Sequence, residues 1–159
     1  MVSDEEGREV ILSMLAPGEI FGEMGVIDEH PRSASVVAME NSNVIVIAQK
    51  DFKRSMRENF DIALYIVRKL AQRLRSADQK IESLALMDVY GRVARQLLDM
   101  ATATNGEMVI KHKISKQDMA KMIGASREMV SRVMKDLHVR GFIEEGAGRM
   151  ILHEHLGHF

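Results

Sequence analysis

The sequence predicts an α+β protein: a small β unit, then one long helix, then a short helical pair closed by a β-hairpin. Three observations predict it. The first 48 residues alternate β-branched runs with turn residues. Between Phe60 and Leu86 an apolar residue recurs every third or fourth position. Beyond Ile114, two short amphipathic stretches meet at a glycine and are followed by a strand–turn–strand pattern.

Taken in order, Arg8–Leu15 reads as a strand after the Asp4-Glu5-Glu6-Gly7 turn, and Ala16–Glu19 as a second turn. Ser33–Ala38 and Asn43–Ala48 are β-branched strand candidates. The long helix carries Ile62, Ile66, Leu70, Leu74, Ala77, Ile81 and Leu84 as one narrow stripe. Arg68, Lys69, Arg73, Arg75, Asp78, Lys80 and Glu82 crowd both sides of it. A narrow seam between charges suits a second copy of the helix better than packing on the β unit. Asp88 is placed to cap a helix over Val89–Met100. Residues 102–107 read as a turn, and Met108–Ile114 alternates like a strand.

Composition narrows the functions. Apolar residues make up 46% of the 159 and charged residues 28%, the balance of a globular protein. No apolar run approaches the roughly 18 residues a membrane helix needs. The acidic start, Ser3-Asp4-Glu5-Glu6, lacks the features of a signal peptide, so no membrane partner and a cytoplasmic address are expected. The absence of cysteine removes disulfides, thiolate metal sites and cysteine catalysis. No metal site is expected. His153, His155 and His158 read as a polar tail, and His30 and His112 as surface residues. The methionines read as core filling. No nucleophile–base pair and no phosphate-binding glycine–lysine loop is present, so no catalytic residue is assigned and an enzyme is not expected.

Charge is unevenly spread. Residues 1–87 hold 14 acids against 11 Lys/Arg, residues 88–140 hold 6 against 10, and residues 141–159 hold 3 against 1. A basic block on an acidic chain points to a polyanion-binding face. The spacing in that block sharpens the point. Ser115 can cap a helix over Lys116–Ile123, with Asp118 at its third position. Ala120 suits a close helix crossing, and Gly124 suits a left-handed stop. Ser126 can cap a second helix reaching Val139, with Val130 and Val133 inward. This is helix-turn-helix spacing, and Phe142–Leu152 adds a wing. Outward stand Arg127, Glu128, Ser131, Arg132 and Lys135. Arginine can bond guanine O6 and N7 together, and glutamate can accept from cytosine N4. Ser115, Lys116, Gln117, Ser126, Ser131 and Lys135 are the remaining candidates for DNA contact, with Ser126, Ser131 and Lys135 suited to phosphates.

Ile114-Ser115-Lys116-Gln117, Gly124-Ala125-Ser126-Arg127-Glu128 and Val130-Ser131-Arg132 resemble the reading unit of the CRP/FNR family of bacterial transcription regulators. The resemblance aligns Arg127, Glu128 and Arg132 with that family's base-reading trio. It implies a two-fold symmetric site of TGTGA-like halves on bent double-stranded DNA, a homodimer, and RNA polymerase as a further partner. Upstream, Phe21-Gly22-Glu23-Met24-Gly25 followed by Arg32-Ser33-Ala34 resembles the phosphate-binding cassette of the family's β-roll. The implied ligand residues are Gly22, Glu23, Met24, Arg32, Ser33, Ala77 and Asp78. Arg32 would pair with a cyclic phosphate and Glu23 accept from a ribose hydroxyl.

The cyclic-AMP-binding members present Thr then Ser where this chain has Ala77 and Asp78. Cyclic AMP, another nucleotide such as cyclic-di-GMP, and ligand-free DNA binding therefore remain open. The family's roll has strands before the one beginning near Arg8, so the roll is expected to be partial. The implied division is a β-roll over 1–59, a dimerisation helix over 60–87 and a winged helix-turn-helix over 88–159. Ligand would change how two long helices pair near Ala77 and Asp78 and set the reading helices one DNA turn apart, about 34 Å. The competing function is a nucleotide sensor acting through protein partners without DNA binding.

Overall fold

A computed structural model describes residues 1–111, 114–146, 148–153 and 156. It begins with a two-residue antiparallel ladder, β1 (Val2–Ser3) with β2 (Glu9–Val10). Asp4 fixes the turn between them: its carboxylate accepts from the amides of Glu6 and Arg8 and holds the Arg8 guanidinium at 2.7 Å. One helical turn, α1 (Met24–Ile27), follows, then α2 (Gln49–Glu58) and α3 (Phe60–Leu86). Asn59 separates the last two. Its side chain accepts from the amides of Asp61 and Ile62 and so starts α3.

The strand expectations for this half are corrected. Of Arg8–Leu15 only Glu9–Val10 pairs, and Ser33–Ala38 and Asn43–Ala48 form no strand. A strand exists only when its main chain has a ladder partner. Outside Glu9–Val10 these segments have no ladder partner among the described residues: Ser35 exchanges hydrogen bonds with Met1, and the Ile11 amide donates to the Lys121 carbonyl. Ile45 and Val46 accordingly stand 93% and 88% exposed. The sequence reading also missed α2, whose Phe52 is buried.

In the second half the elements are α4 (Val89–Met100), β3 (Thr102–Thr104), β4 (Glu107–Ile110), α5 (Lys116–Ile123), α6 (Arg127–Val139), β5 (Ile143–Gly146) and β6 (Arg149–Leu152). Asp88 caps α4 by accepting from the Gly91 amide. Residues 102–107 are not wholly a turn, because Thr102–Thr104 pairs with β4. The chain reverses at Asn105-Gly106, where both φ values are positive, +52° and +85°. That is the backbone a two-residue hairpin requires, and Asn-Gly is the pair that tolerates it. The strand expected over Met108–Ile114 ends at Ile110, and His112 and Lys113 lie outside the described residues. So do Ala147 of the wing and His155 and His158 of the tail.

The four strands form one antiparallel sheet in the order β3-β4-β6-β5. Leu152 lies opposite both Met108 and Ile143, so β6 stitches the wing to β4. The core sits between this sheet and the three helices α4, α5 and α6. Val93, Leu97, Val130, Leu137, Ile143 and Leu156 are its largest fully buried side chains. One buried residue of this core comes from elsewhere in the chain: Ile11, just beyond β2.

Candidate nucleic-acid interface and ligand cassette

The reading unit is built by three caps. Ser115 accepts from the Asp118 amide at 3.0 Å, and its hydroxyl donates to the Asp118 carboxylate at 2.7 Å. Gly124 ends α5 at φ +63°. Any side chain there would be strained by that positive φ, although Leu84 and Arg92 would stand only at ordinary contact distance from it. Ser126 then accepts from the Met129 amide and starts α6. Between the caps, Met119, Ala120, Met122 and Ile123 of α5 pack on Val130, Met134 and Leu137 of α6. Burying that stripe fixes the opposite face of α6 toward solvent.

That face holds the expected side chains. Arg127, Glu128, Arg132 and Lys135 are exposed, and Ser131 is half-buried beside them. Among the described residues none of Arg127, Arg132 and Lys135 is held in an ion pair. A hydrogen bond from its own main-chain amide, then Ser126 and the two flanking arginines, holds the Glu128 carboxyl below the usual carboxylate range. It is therefore a permanent acceptor at neutral pH. Ser115, Lys116 and Gln117 are exposed at the start of α5. Together with Arg127 they line a cleft of ≈ 780 Å³ that ends on the wing at Glu145 and Arg149. Arg149 was missed from the sequence. Its signal was a single cation in an otherwise acidic hairpin.

Behind this unit, Arg92 of α4 donates to the Ile123 carbonyl at 2.8 Å. Tyr90 donates to Asp136 at 3.1 Å, tying α4 to α6. The tail of α3 runs past the helix-turn-helix, and its seam is open. Ile66 is 2% exposed, whereas Leu74, Ile81 and Leu84 are 64%, 65% and 57% exposed.

The cassette lies against the middle of α3. Gly22, at φ +79°, has the Arg32 guanidinium over it: a Cβ would stand 3.1 Å from Nη1. Gly25 has no room either, because a Cβ would meet the His30 carbonyl at 2.7 Å. Glu23 is buried, and its Oε1 accepts from Arg73 of α3 at 2.5 Å. Arg73 also donates to the Ile20 carbonyl. One helical turn earlier, Lys69 pairs with Glu19 at 3.4 Å. Glu23 Oε2 is buried and has no hydrogen-bond partner among the described residues. A buried carboxylate oxygen without a donor is costly and fits a site that receives a hydroxyl. Arg32, Ser33 and Phe21 line an open cleft of ≈ 650 Å³ with Met1 and Val36. Met24 is exposed at the start of α1. Ala77 and Asp78 stand exposed on α3, four and five residues beyond Arg73, and are not part of the lining of that cleft. Arg73 itself was not singled out from the sequence, where it looked like any flanking charge on the long helix.

Residues 91–155 match the family model of a Crp-like helix-turn-helix domain, and residues 1–59 that of a cyclic nucleotide-binding domain. The chain is 36% identical over 144 residues to the cAMP-activated global transcriptional regulator CRP of Pasteurella multocida, covering 86% of this chain and 68% of that protein. It is 34% identical to the cAMP-activated global transcriptional regulator Vfr of Pseudomonas aeruginosa, covering 96% and 74%. Its fold is similar to that of the c-di-GMP-responsive global regulator CLP of Xanthomonas campestris, with a TM-score of 0.66 at 23% identity over 95% of this chain and 77% of that one. It is also similar to a CRP/FNR-family transcriptional regulator of Thermus thermophilus, with a TM-score of 0.59 at 22% identity, covering 98% and 79%.

Proposed function

The chain belongs to the CRP/FNR family of transcription regulators, and on that premise we propose that it binds a two-fold symmetric operator in double-stranded DNA as a homodimer, under the control of a cyclic-nucleotide-type ligand. The observation that carries the reading is the outward face of α6. Two guanidiniums and one permanent carboxylate project from a helix whose other face is locked in a core. Such a helix can enter a major groove without rearranging. Arg127 and Arg132 read guanines, Glu128 reads a cytosine, and Ser115, Lys116, Gln117, Ser126, Ser131 and Lys135 hold the backbone. Arg149 adds a phosphate contact from the wing. The exposed seam of Leu74, Ala77, Ile81 and Leu84 pairs with its copy, which places two reading helices side by side. DNA as target implies a cytoplasmic location. No helix among the described residues is long and apolar enough to cross a membrane.

Gly22, Glu23, Met24, Arg32 and Ser33 form the ligand cassette, with Arg32 for the phosphate and Glu23 Oε2 for a ribose hydroxyl. Ala77 and Asp78 face the base only if the partner helix or the ligand brings it to them. Cyclic AMP and cyclic-di-GMP are both ligands to test, since relatives respond to each.

The test is fluorescence anisotropy with a labelled palindromic duplex of TGTGA half-sites at two salt concentrations. Binding should weaken steeply with salt. Arg132→Ala should lose about 1–3 kcal/mol and relax discrimination at one base pair. Equal affinity of Arg132→Ala and parent would refute the assigned role of Arg132. Calorimetric titration with cyclic AMP, cyclic GMP and cyclic-di-GMP tests the cassette, and Arg32→Ala should abolish any heat.

A further inference from the structure

Of the residues preceding the cassette, only Ile11 is buried, and it is buried in the core of the reading unit rather than in its own half. Its main-chain amide donates to the Lys121 carbonyl at 3.0 Å. That carbonyl lies in the last turn of α5, where helix carbonyls lack intrahelical partners. Two residues earlier, the Glu9 carboxylate meets the Lys121 ammonium at 2.5 Å, with both side chains about two-thirds or more covered. The hydrogen bond that Lys121 donates to this carboxylate raises the Lys121 pKa. From the long helix, Lys80 donates to the Leu12 carbonyl at 2.6 Å and reaches the Ile11 carbonyl at 3.4 Å. A short extended segment is therefore pinned on one side to α3 and on the other to α5. The same segment leads, within a dozen residues, to Glu19 and Glu23, which are tied to Lys69 and Arg73 of α3.

We infer that residues 9–12 are a latch between the ligand-binding half and the reading unit, closed by the Glu9–Lys121 ion pair, the Ile11–Lys121 main-chain bond and the burial of Ile11. The latch holds the end of α5, and through the Gly124 turn it holds the direction of α6. A reading helix already held needs less ordering when it meets DNA, so the closed latch tightens operator binding. Displacement of the cassette relative to α3 pulls on the same segment, which makes the latch the mechanical connection between ligand and reading helix. It rests on the DNA-binding function proposed above.

The experiment is a charge swap in the full chain. Glu9→Lys and Lys121→Glu singly should each weaken binding to the palindromic duplex, about three- to tenfold, although they change the protein's charge in opposite directions. Together they should restore it to within about twofold of the parent, as expected for a pair in direct contact. Because the chain has no cysteine, Glu9→Cys with Lys121→Cys can be joined cleanly by a short bismaleimide. The joined form should bind as the parent does, and the same protein capped with a monomaleimide should bind like the single variants. Hydrogen exchange of the Ile11 amide provides a readout independent of DNA: it should quicken in each single variant and slow again in the swap. Opposite effects of the two single variants, a failure of the swap to rescue, or unchanged Ile11 exchange would each overturn the latch. Failure of the parent to bind duplex would overturn the DNA-binding reading and leave the exchange result to decide the latch.

Discussion

The two ends of this chain handle apolar surface in opposite ways. Residues 88–153 bury Val93, Leu97, Val130, Leu137 and Ile143 in one core. Residues 33–48 leave Val36, Val37, Val44, Ile45, Val46 and Ile47 all more than half exposed, although they are no less apolar. The difference lies in how far each contact reaches along the sequence. Helices α5 and α6 close their hydrogen bonds within themselves and meet across a three-residue turn, so little chain has to be ordered before burial repays it. A strand at Val44–Ile47 has to find a distant ladder partner, and here it has none among the described residues. Apolar composition is thus not enough to build a core.

Single substitutions test this contrast directly. The largest effect is expected from Leu137→Ala, which empties a fully buried site and should cost about 2–5 kcal/mol in denaturant unfolding. Ile45→Ala, in the exposed run, should stay within about 0.5 kcal/mol. Equal losses at the two positions would mean that the first half is packed as firmly as the second. Gly124→Ala comes next. Its φ of +63° penalises a side chain by about 1–2 kcal/mol, which should appear both as a lower Tm and as weaker operator binding. Ser126→Ala removes the cap of α6 and should cost about 1 kcal/mol, with Ser126→Asp retaining most of it.

The smallest effect concerns acid stability. The Glu128 pKa is lower folded than its ordinary value of 4.5. Its contribution to stability is therefore full above that value and is lost as pH falls through the folded pKa. Glu128→Gln should make the fall in stability below about pH 4.5 slightly shallower, because one such carboxylate is removed. A steeper fall in the variant would contradict the sign.

Much of the reading unit was legible before any coordinates. Ser115, Gly124, Ser126 and Asp88 announced helix boundaries to the residue because caps act over three or four positions. The spacing of Ile66 to Leu84 announced one long helix for the same local reason. Asn105-Gly106 was readable as a turn, but its strand Thr102–Thr104 was not, since pairing with β4 is set by the sheet and not by three threonine and alanine residues. The cassette motif was visible as Gly22-Glu23 and Arg32-Ser33, while its partner Arg73 was hidden, fifty residues away on a helix face crowded with similar charges.

The sequence alone determined what depends on neighbours a few positions apart: the ends of the helices, the left-handed stop at Gly124, the stripe of α3, and the face on which Arg127, Glu128 and Arg132 stand. Only the tertiary structure decided which charge Glu23 would meet, that Ile11 would leave its own half for the core of the other, and that the runs at 33–38 and 43–48 would form no strand. These outcomes depend on main-chain partners and charges far away in sequence. Such contacts form only once the whole chain has closed on itself, and local chemistry does not encode them.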